Sequence, residues 1–371
     1  MIVRRLNADD VREHDKVSSQ AFVYNCDIND ESSVLPEENM LGAFLDDGKT
    51  LMADIEIVDR KCAFFGDTLR CAAVGGVASK PEHRGKGAVK AIFNELYKKE
   101  DWDISILYPF STGYYSKLGY ESIGRAVSLT VPFSVLKNVE RNSEAVLYEG
   151  GEDILKIYNE YAKETHLCFI RENLDAYPQE PYRDGIYIYV WKDRSYVMFS
   201  IDRPNKIINV KELVYLDKEA LEKVLGFLRN FEGNQETLIF GKLPLDTPVL
   251  NYISDEKKTV QKCYSVGAAR IHNIENVLKK VGYPEEKGSF VIKADDRIFE
   301  VNYSGGRGEV IADSDKEPDF IFNINAASGV LLSGVNGEKE LEYIDGAEII
   351  KSNPDFYRAF AKKDAYLNDD F

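Results

Sequence analysis

Val74-Gly75-Gly76-Val77-Ala78-Ser79-Lys80-Pro81-Glu82-His83-Arg84-Gly85-Lys86-Gly87-Ala88-Val89 is the stretch from which the rest of the chain can be read. Its first half is an apolar run interrupted by glycine, and it stops at Pro81. That is how a buried strand with a close backbone approach reads. A short basic, glycine-rich turn follows. Beyond it Val89, Ile92, Phe93 and Leu96 recur at i, i+3, i+4, i+7, the spacing of a helix that buries one face. The turn therefore stands at a helix N-terminus, where the first N–H groups have no internal acceptor and the dipole is positive. Gly85 and Gly87 let an anion reach those amides without a Cβ in the way, and Arg84, Lys86 and Lys90 add full positive charge. The pattern predicts a phosphate cradle.

The surrounding composition narrows the molecule that brings the phosphate. A chain of 371 residues holds two or three domains, and 44% apolar with 30% charged residues suits a folded globular protein. The net charge of -16 argues against nucleic acid and anionic membrane surfaces and favours a cationic partner, although plain solubility also accounts for it. The amino terminus does not read as a signal peptide. No apolar run approaches the roughly 18 residues that a membrane helix needs, so the expected location is cytoplasmic. Cys26, Cys62, Cys71, Cys168 and Cys263 are odd in number and scattered, and His14, His83, His166 and His272 show no ligand spacing. Reduced thiols and no metal are expected.

Taken in order, Ile2–Leu6 reads as a strand and Asp9 or Asp10 as the cap of a helix running to Phe22. Residues 27 to 38 read as an acidic, polar loop or broken helix near an opening. Met40–Phe44, Thr50–Val58 and Lys61–Phe65 read as antiparallel strands, and Leu69–Val77 as the strand that delivers the basic bend. Asp103–Tyr108 is a strand ending at Pro109. Residues 144 to 267 repeat the order of elements: strands at Ile207–Val210 and Leu213–Leu216, a helix carrying Leu221, Val224, Leu225 and Leu228, then the strand Leu238–Phe240. Here Asp217-Lys218-Glu219-Ala220 replaces the glycine-basic turn, and two carboxylates repel a pyrophosphate. The last unit opens on a short helix, Ile274–Val281, then runs through strands (Phe290–Ile292, Arg297–Tyr303, Glu309–Ala312, Asp319–Ile324) and after them helices at Asn325–Val335 and Ser352–Phe360. Gly305–Gly308 reads as a turn, because no helix follows it.

Two signatures carry a family resemblance. Arg84-x-x-Gly87-x-Val89 resembles the pyrophosphate loop R/Q-x-x-G-x-G/A of the GCN5-related N-acetyltransferase superfamily, departing from it at Val89. About 30 residues on, Tyr115-Ser116-Lys117-Leu118-Gly119-Tyr120 resembles the superfamily's [FY]-Y-x-K-L-G-[FY], a short helix ended by a left-handed glycine. Tandem acetyltransferase-like halves with a sterol-carrier-protein-like tail resemble the Eis-type (enhanced intracellular survival) N-acetyltransferases. The fold class expected is α+β: a catalytic acetyltransferase (GNAT) domain over residues 1–133, a degenerate one over 134–267, and a sterol-carrier-like α/β domain over 268–371.

The resemblance implies acetyl-CoA as cosubstrate, a cationic amine acceptor (aminoglycoside-like, polyamine or lysine) and a homo-hexamer. It implies direct transfer, with Tyr115 as general acid and the carboxylate of Phe371 as general base. Val77, Ala78 and Ser79 are expected to pair with the pantetheine arm. Arg84, Gly85, Lys86, Gly87, Ala88, Val89 and Lys90 are expected to hold the pyrophosphate, with Phe110 and Ser111 completing the pocket. Asp27 and Asp370 are expected to hold the acceptor. Three other readings stand beside this one: a tandem-domain peptidyl or fatty-acyl transferase, a non-catalytic acetyl-CoA sensor, and a lipid carrier run by the last domain.

Overall fold

The structure is a computed structural model and describes residues 1–23, 27, 30, 32–36, 39–98, 102–136, 139–178, 185–192 and 194–369. The first unit comprises β1 (Ile2–Arg5), α1 (Val11–Phe22), β2 (Met40–Phe44), β3 (Leu51–Phe64), β4 (Asp67–Ser79), α2 (Ala88–Tyr97), β5 (Ile104–Leu107), α3 (Thr112–Ser116) and β6 (Glu121–Ser122). The second has β7 (Arg125–Pro132), β8 (Val146–Leu147), α4 (Asp153–Glu164), β9 (Phe169–Ile170), β10 (Ile186–Trp191), β11 (Ser195–Asp202), β12 (Ile207–Tyr215), α5 (Lys218–Leu228), β13 (Thr237–Pro244) and β14 (Val260–Ser265). The remainder is β15 (Ala268–Ile271), α6 (Ile274–Lys279), β16 (Gly288–Ala294), β17 (Arg297–Ser304), β18 (Arg307–Ala312), β19 (Phe320–Phe322), α7 (Ile324–Ser333), α8 (Glu338–Leu341), β20 (Ala347–Ile349) and α9 (Pro354–Ala359).

Three sheets result, in the orders β1-β2-β3-β4-β5-β15-β6, β14-β7-β13-β12-β11-β10-β8 and β18-β17-β16-β19-β20, with β9 added to β3. Two strands cross the boundaries expected at 133 and 267. Arg125–Pro132 pairs with β13 and β14 of the second sheet, and Ala268–Ile271 lies between β5 and β6 of the first. By those boundaries the first half donates a strand to the second sheet, and the last unit donates one to the first. The apolar alternation of such strands specifies a buried face without specifying whose sheet buries it. Two smaller differences are local. Thr50–Val58 and Lys61–Phe65 form one continuous strand against β4, and Asp10 stands at the N-cap position of α1 without a side-chain cap bond, because Asn7 caps a 3-10 turn, Ala8–Asp10, that leads into the helix. Asn7 and Asp10 close a capping box, and Arg4 holds the Asp10 carboxylate at 2.8 Å.

The repeat inferred between the halves is seen in their central crossovers. β4-α2-β5 and β12-α5-β13 are both parallel strand–helix–strand units. In α2, Ile92, Phe93 and Leu96 are fully buried against β2, β3 and β4, each contributing about 1.5–3 kcal/mol of transfer free energy. Val89 is half-buried, because it turns toward a cleft. The third sheet contains the four expected strands and a fifth, β20, that the sequence reading lacked, and Gly305-Gly306 makes the β17–β18 hairpin turn. Among the described residues Cys62, Cys71, Cys168 and Cys263 are unbridged, and no helix is long and apolar enough to cross a membrane.

Two half-buried histidines link the last unit to the first two. The His166 ring donates to the Leu332 carbonyl at 2.6 Å, and His272 meets the Ser105 hydroxyl at 2.8 Å. Burial pushes His166 down to about 4, and burial together with Arg270 pushes His272 down to about 3. The unfolded chain, at about 6.5, takes up protons that the folded one refuses. Stability is therefore full above pH 6.5 and is lost as pH falls toward those values. Each tenfold difference in proton affinity between the folded and unfolded chain is worth about 1.4 kcal/mol. Thermal midpoints measured from pH 7 to 5 should fall accordingly. His166→Gln, which keeps a donor for Leu332 but does not titrate, should flatten the slope.

Candidate active site

The first unit's site begins with a bulge in β4. Asp54 pairs with Ala78 and Glu56 with Gly75, so three residues of β4 span two of β3. Gly76 occupies the bulge at φ +54, and a Cβ there would stand 2.4 Å from the Glu56 carboxylate carbon. Only glycine fits both the angle and the approach. β4 pairs with β5 only through Cys71–Ala73. Val74–Ser79 therefore runs on with its β5-side edge unpaired by any described strand, leaving a row of main-chain donors and acceptors facing a gap.

That gap opens into a cleft of about 870 Å³. Val77, Ala78 and Ser79 form one wall, Arg84, Gly85, Gly87, Ala88, Val89 and Lys90 the floor, and Phe110 the far side. Helix α2 starts at Gly87, φ +80, with no side-chain cap, so its first amides point into the cleft unclaimed. The bend thus fits a pyrophosphate: a bare helix N-terminus, no side-chain anion of its own, and the cations of Arg84 and Lys90 beside it. Lys86 does not line the cleft; its ammonium lies 3.2 Å from the His83 ring, which does. Ser111 caps α3, accepting from the Tyr114 amide at 3.3 Å, and is not a wall residue either. Ala21, Phe22, Tyr114, Lys117 and Leu118 complete the lining and escaped the sequence reading. Tyr114 and Lys117 sit inside the second signature, so one turn of helical geometry around Tyr115 could have found them.

Tyr115 stands just behind this wall. It is 3% exposed, with ring centroids 5.3 Å from Phe110 and 5.2 Å from Tyr114. Its hydroxyl makes no hydrogen bond with any described residue. Burial, reinforced by Tyr114, raises its pKa well above the ordinary tyrosine value, so it is a phenol throughout the physiological range. Gly119 ends the turn at φ +86, with the Arg270 guanidinium packed where a side chain would go.

On the α1 side of the bulge His14 Nδ1 lies 2.8 Å from Asp54 Oδ2, both buried. Burial alone would lower His14, but the Asp54 bond and charge, with the fields of Glu56 and Asp15, hold it above the ordinary value. Asp27 is exposed, five residues beyond Phe22 of the lining. Asp370 and Phe371 lie outside the described residues, but their neighbour Asp369 is placed. Its carbonyl accepts from the Tyr108 hydroxyl at 2.6 Å, two residues from Phe110. Among the described residues no group of three or more His, Cys, Asp or Glu could hold a metal ion.

The second unit offers no equivalent floor. Asp217 caps α5 with its own carboxylate, 2.8 Å from the Ala220 amide, and Arg194 pairs with it. The helix N-terminus that would meet a pyrophosphate already holds an anion.

Residues 2–123 match a family model described as an acetyltransferase (GNAT) domain, and residues 170–271 match a second model of the same description. The chain carries two GNAT acetyltransferase domains. Such domains use acetyl-CoA as cosubstrate and act on amine acceptors. Solved structures share the fold along the whole chain. A protein of unknown function from Enterococcus faecalis V583, described as a probable N-acyltransferase, is 19% identical with a TM-score of 0.83, covering 100% of this chain and 99% of its own. A GCN5-related N-acetyltransferase from Anabaena variabilis is 18% identical at TM-score 0.83, with 100% of both chains covered. Eis1 from Mycobacterium abscessus is 18% identical at TM-score 0.80, again over 100% of both. No curated protein matches the sequence.

Proposed function

We propose that the first GNAT domain transfers an acetyl group from acetyl-CoA to the amine of a cationic acceptor. The observation that carries this is the convergence, in one cleft, of the unpaired β4 edge, the uncapped basic bend and the Tyr114–Tyr115 turn. Each has a separate task. The bend holds the pyrophosphate, and the open edge at Val77–Ser79 pairs with the pantetheine amides. A fixed main-chain N–H of that edge, aimed at the developing oxyanion, is worth about 3–4 kcal/mol. The uncharged amine attacks the acetyl carbonyl, and the departing thiolate takes its proton from Tyr115. Phe371 and Asp370 complete the reading: the carboxylate at Phe371 accepts the ammonium proton, directly or through a water, and Asp370 and Asp27 attract the cation. Support for that part is the position of Asp369 at Tyr108.

The family sharpens to the Eis type on the strength of the tandem arrangement and the third α/β unit. A sterol-carrier-like fold for the last unit beyond β15 and a hexameric assembly belong to the same reading. The test is coenzyme release from acetyl-CoA over a panel of aminoglycosides, polyamines and lysine peptides. Release with at least one amine, and acetylated product by mass spectrometry, is expected. Coenzyme A binding without transfer to any amine would favour the sensor reading, and faster turnover with long-chain acyl-CoA the fatty-acyl one.

A further inference from the structure

The second GNAT domain has a strand splay like the first. β12 and β13 pair in parallel only through Ile207–Val210 and Thr237–Phe240, and beyond these they separate. In the first domain the corresponding gap is the cleft; in the second, the chain's own carboxy-terminal stretch fills it. Tyr366 donates its hydroxyl to the Lys242 carbonyl of β13 at 3.0 Å, and the Asn368 amide donates to the Glu212 carboxylate of β12. Glu212 is 3% exposed and Arg171 9%. They form a two-pronged pair, Nη2 to Oε1 at 2.7 Å and Nη1 to Oε2 at 3.2 Å. The guanidinium also lies over the Tyr158 ring, 3.6 Å from its centroid, and donates to the Tyr177 hydroxyl at 2.7 Å. Its remaining donors go to Asp369, Nε to Oδ1 at 2.8 Å.

We infer that the second domain has become a socket for the carboxy-terminal stretch, with Arg171 the positioning residue that sets Asp369 beside Tyr108, two residues from the wall of the first domain's cleft. Three features make this more than a packing contact. A buried guanidinium that shares its donors between two carboxylates is a rigid anchor, because removing it leaves both carboxylates uncompensated in low dielectric. The same stretch is held on its far side by main-chain bonds, Lys363 to Ser333 and Ala365 to Ile123, so that it is strung taut across the three units. And its anchored end reaches Tyr108, where β5 leaves the sheet two residues before Phe110 of the cleft wall. The donor-binding chemistry of this domain is closed twice, by Asp217 at the helix and by the tail at the splay. What remains is a fixture.

The kinetic consequence rests on the proposed acetyl transfer; the socket itself does not. Asp369→Asn keeps the shape and leaves the buried Arg171–Glu212 pair intact, so the fold should survive it. Hydrogen exchange should show the amides of residues 363–369 opening at least about tenfold faster in Asp369→Asn and in Arg171→Gln, with β12 and β13 unchanged in the former. Coenzyme release should show kcat down at least about tenfold in both, with coenzyme A affinity within about twofold of wild type. Unchanged exchange in both variants would overturn the socket. Faster exchange with unchanged kcat would overturn the positioning role. Should the wild-type chain acetylate no amine at all, the functional reading falls and the exchange result still decides the socket.

Discussion

Tyr115→Phe is expected to lower kcat by about 10²–10⁴-fold while leaving coenzyme A affinity within about twofold, the usual loss for a general acid. The structural cost should be small. Phenylalanine keeps the ring that packs on Phe93, Phe110 and Tyr120, and the hydroxyl removed has no partner among the described residues to leave unsatisfied. The role follows from protonation. The leaving thiolate must gain a proton, and a phenol whose pKa burial has raised still holds one at any pH the protein survives. For the same reason the alkaline fall in kcat/KM should lie above the ordinary tyrosine value of about 10. Calorimetry with coenzyme A, stopped-time coenzyme release and a pH profile check the three statements. If Tyr115→Phe turns over normally and Tyr114→Phe does not, the acid is the exposed neighbour that lines the cleft.

The second large effect is at Gly87. Its φ of +80 is left-handed, and a Cβ there would meet nothing within 4 Å, so a side chain would project into the space the bend reserves for an anion. Asn and Asp both tolerate this conformation and are nearly equal in shape. Gly87→Asn should weaken coenzyme A binding about tenfold through lost room, and Gly87→Asp a further tenfold or more through charge, roughly 1.4 kcal/mol for each factor of ten. Stability should move the other way. A carboxylate at a helix N-terminus gains about 0.3–1 kcal/mol from the dipole, so Gly87→Asp should melt no lower than Gly87→Asn while binding less. This would install in the first domain what Asp217 does in the second, where a side chain caps the helix and the bend is closed to phosphate. Equal coenzyme A affinity for the Asn and Asp variants would mean the pyrophosphate sits elsewhere.

Much of the site was legible because its physics is local. The strand, the basic bend and α2 follow from a proline, two glycines and an apolar stripe within about 25 residues of one another, and they stand where they were expected. Ten of the twelve residues assigned to the cofactor line one cleft; Lys86 and Ser111 are the exceptions. The missed lining has two sources. Tyr114, Lys117 and Leu118 belong to the second signature and its short helix, but a motif does not say which of its side chains face the cleft. Ala21 and Phe22 arrive from α1 across the sheet.

Periodicity, punctuation by glycine and proline, and charge at a helix end are short-range forces, and they carried the two parallel crossovers, the basic bend and its acidic counterpart in the second half. Nothing in that range says that Arg125–Pro132 belongs to the sheet that follows it, or Ala268–Ile271 to the sheet that precedes it by way of an entire domain. Nor does it bring Arg171 to Asp369, residues 198 apart in the chain. Those pairings are chosen by which apolar faces remain to be covered and which buried charge remains to be balanced once all three units have come together. Free energies of that kind belong to the assembled core, and no window of the chain contains them.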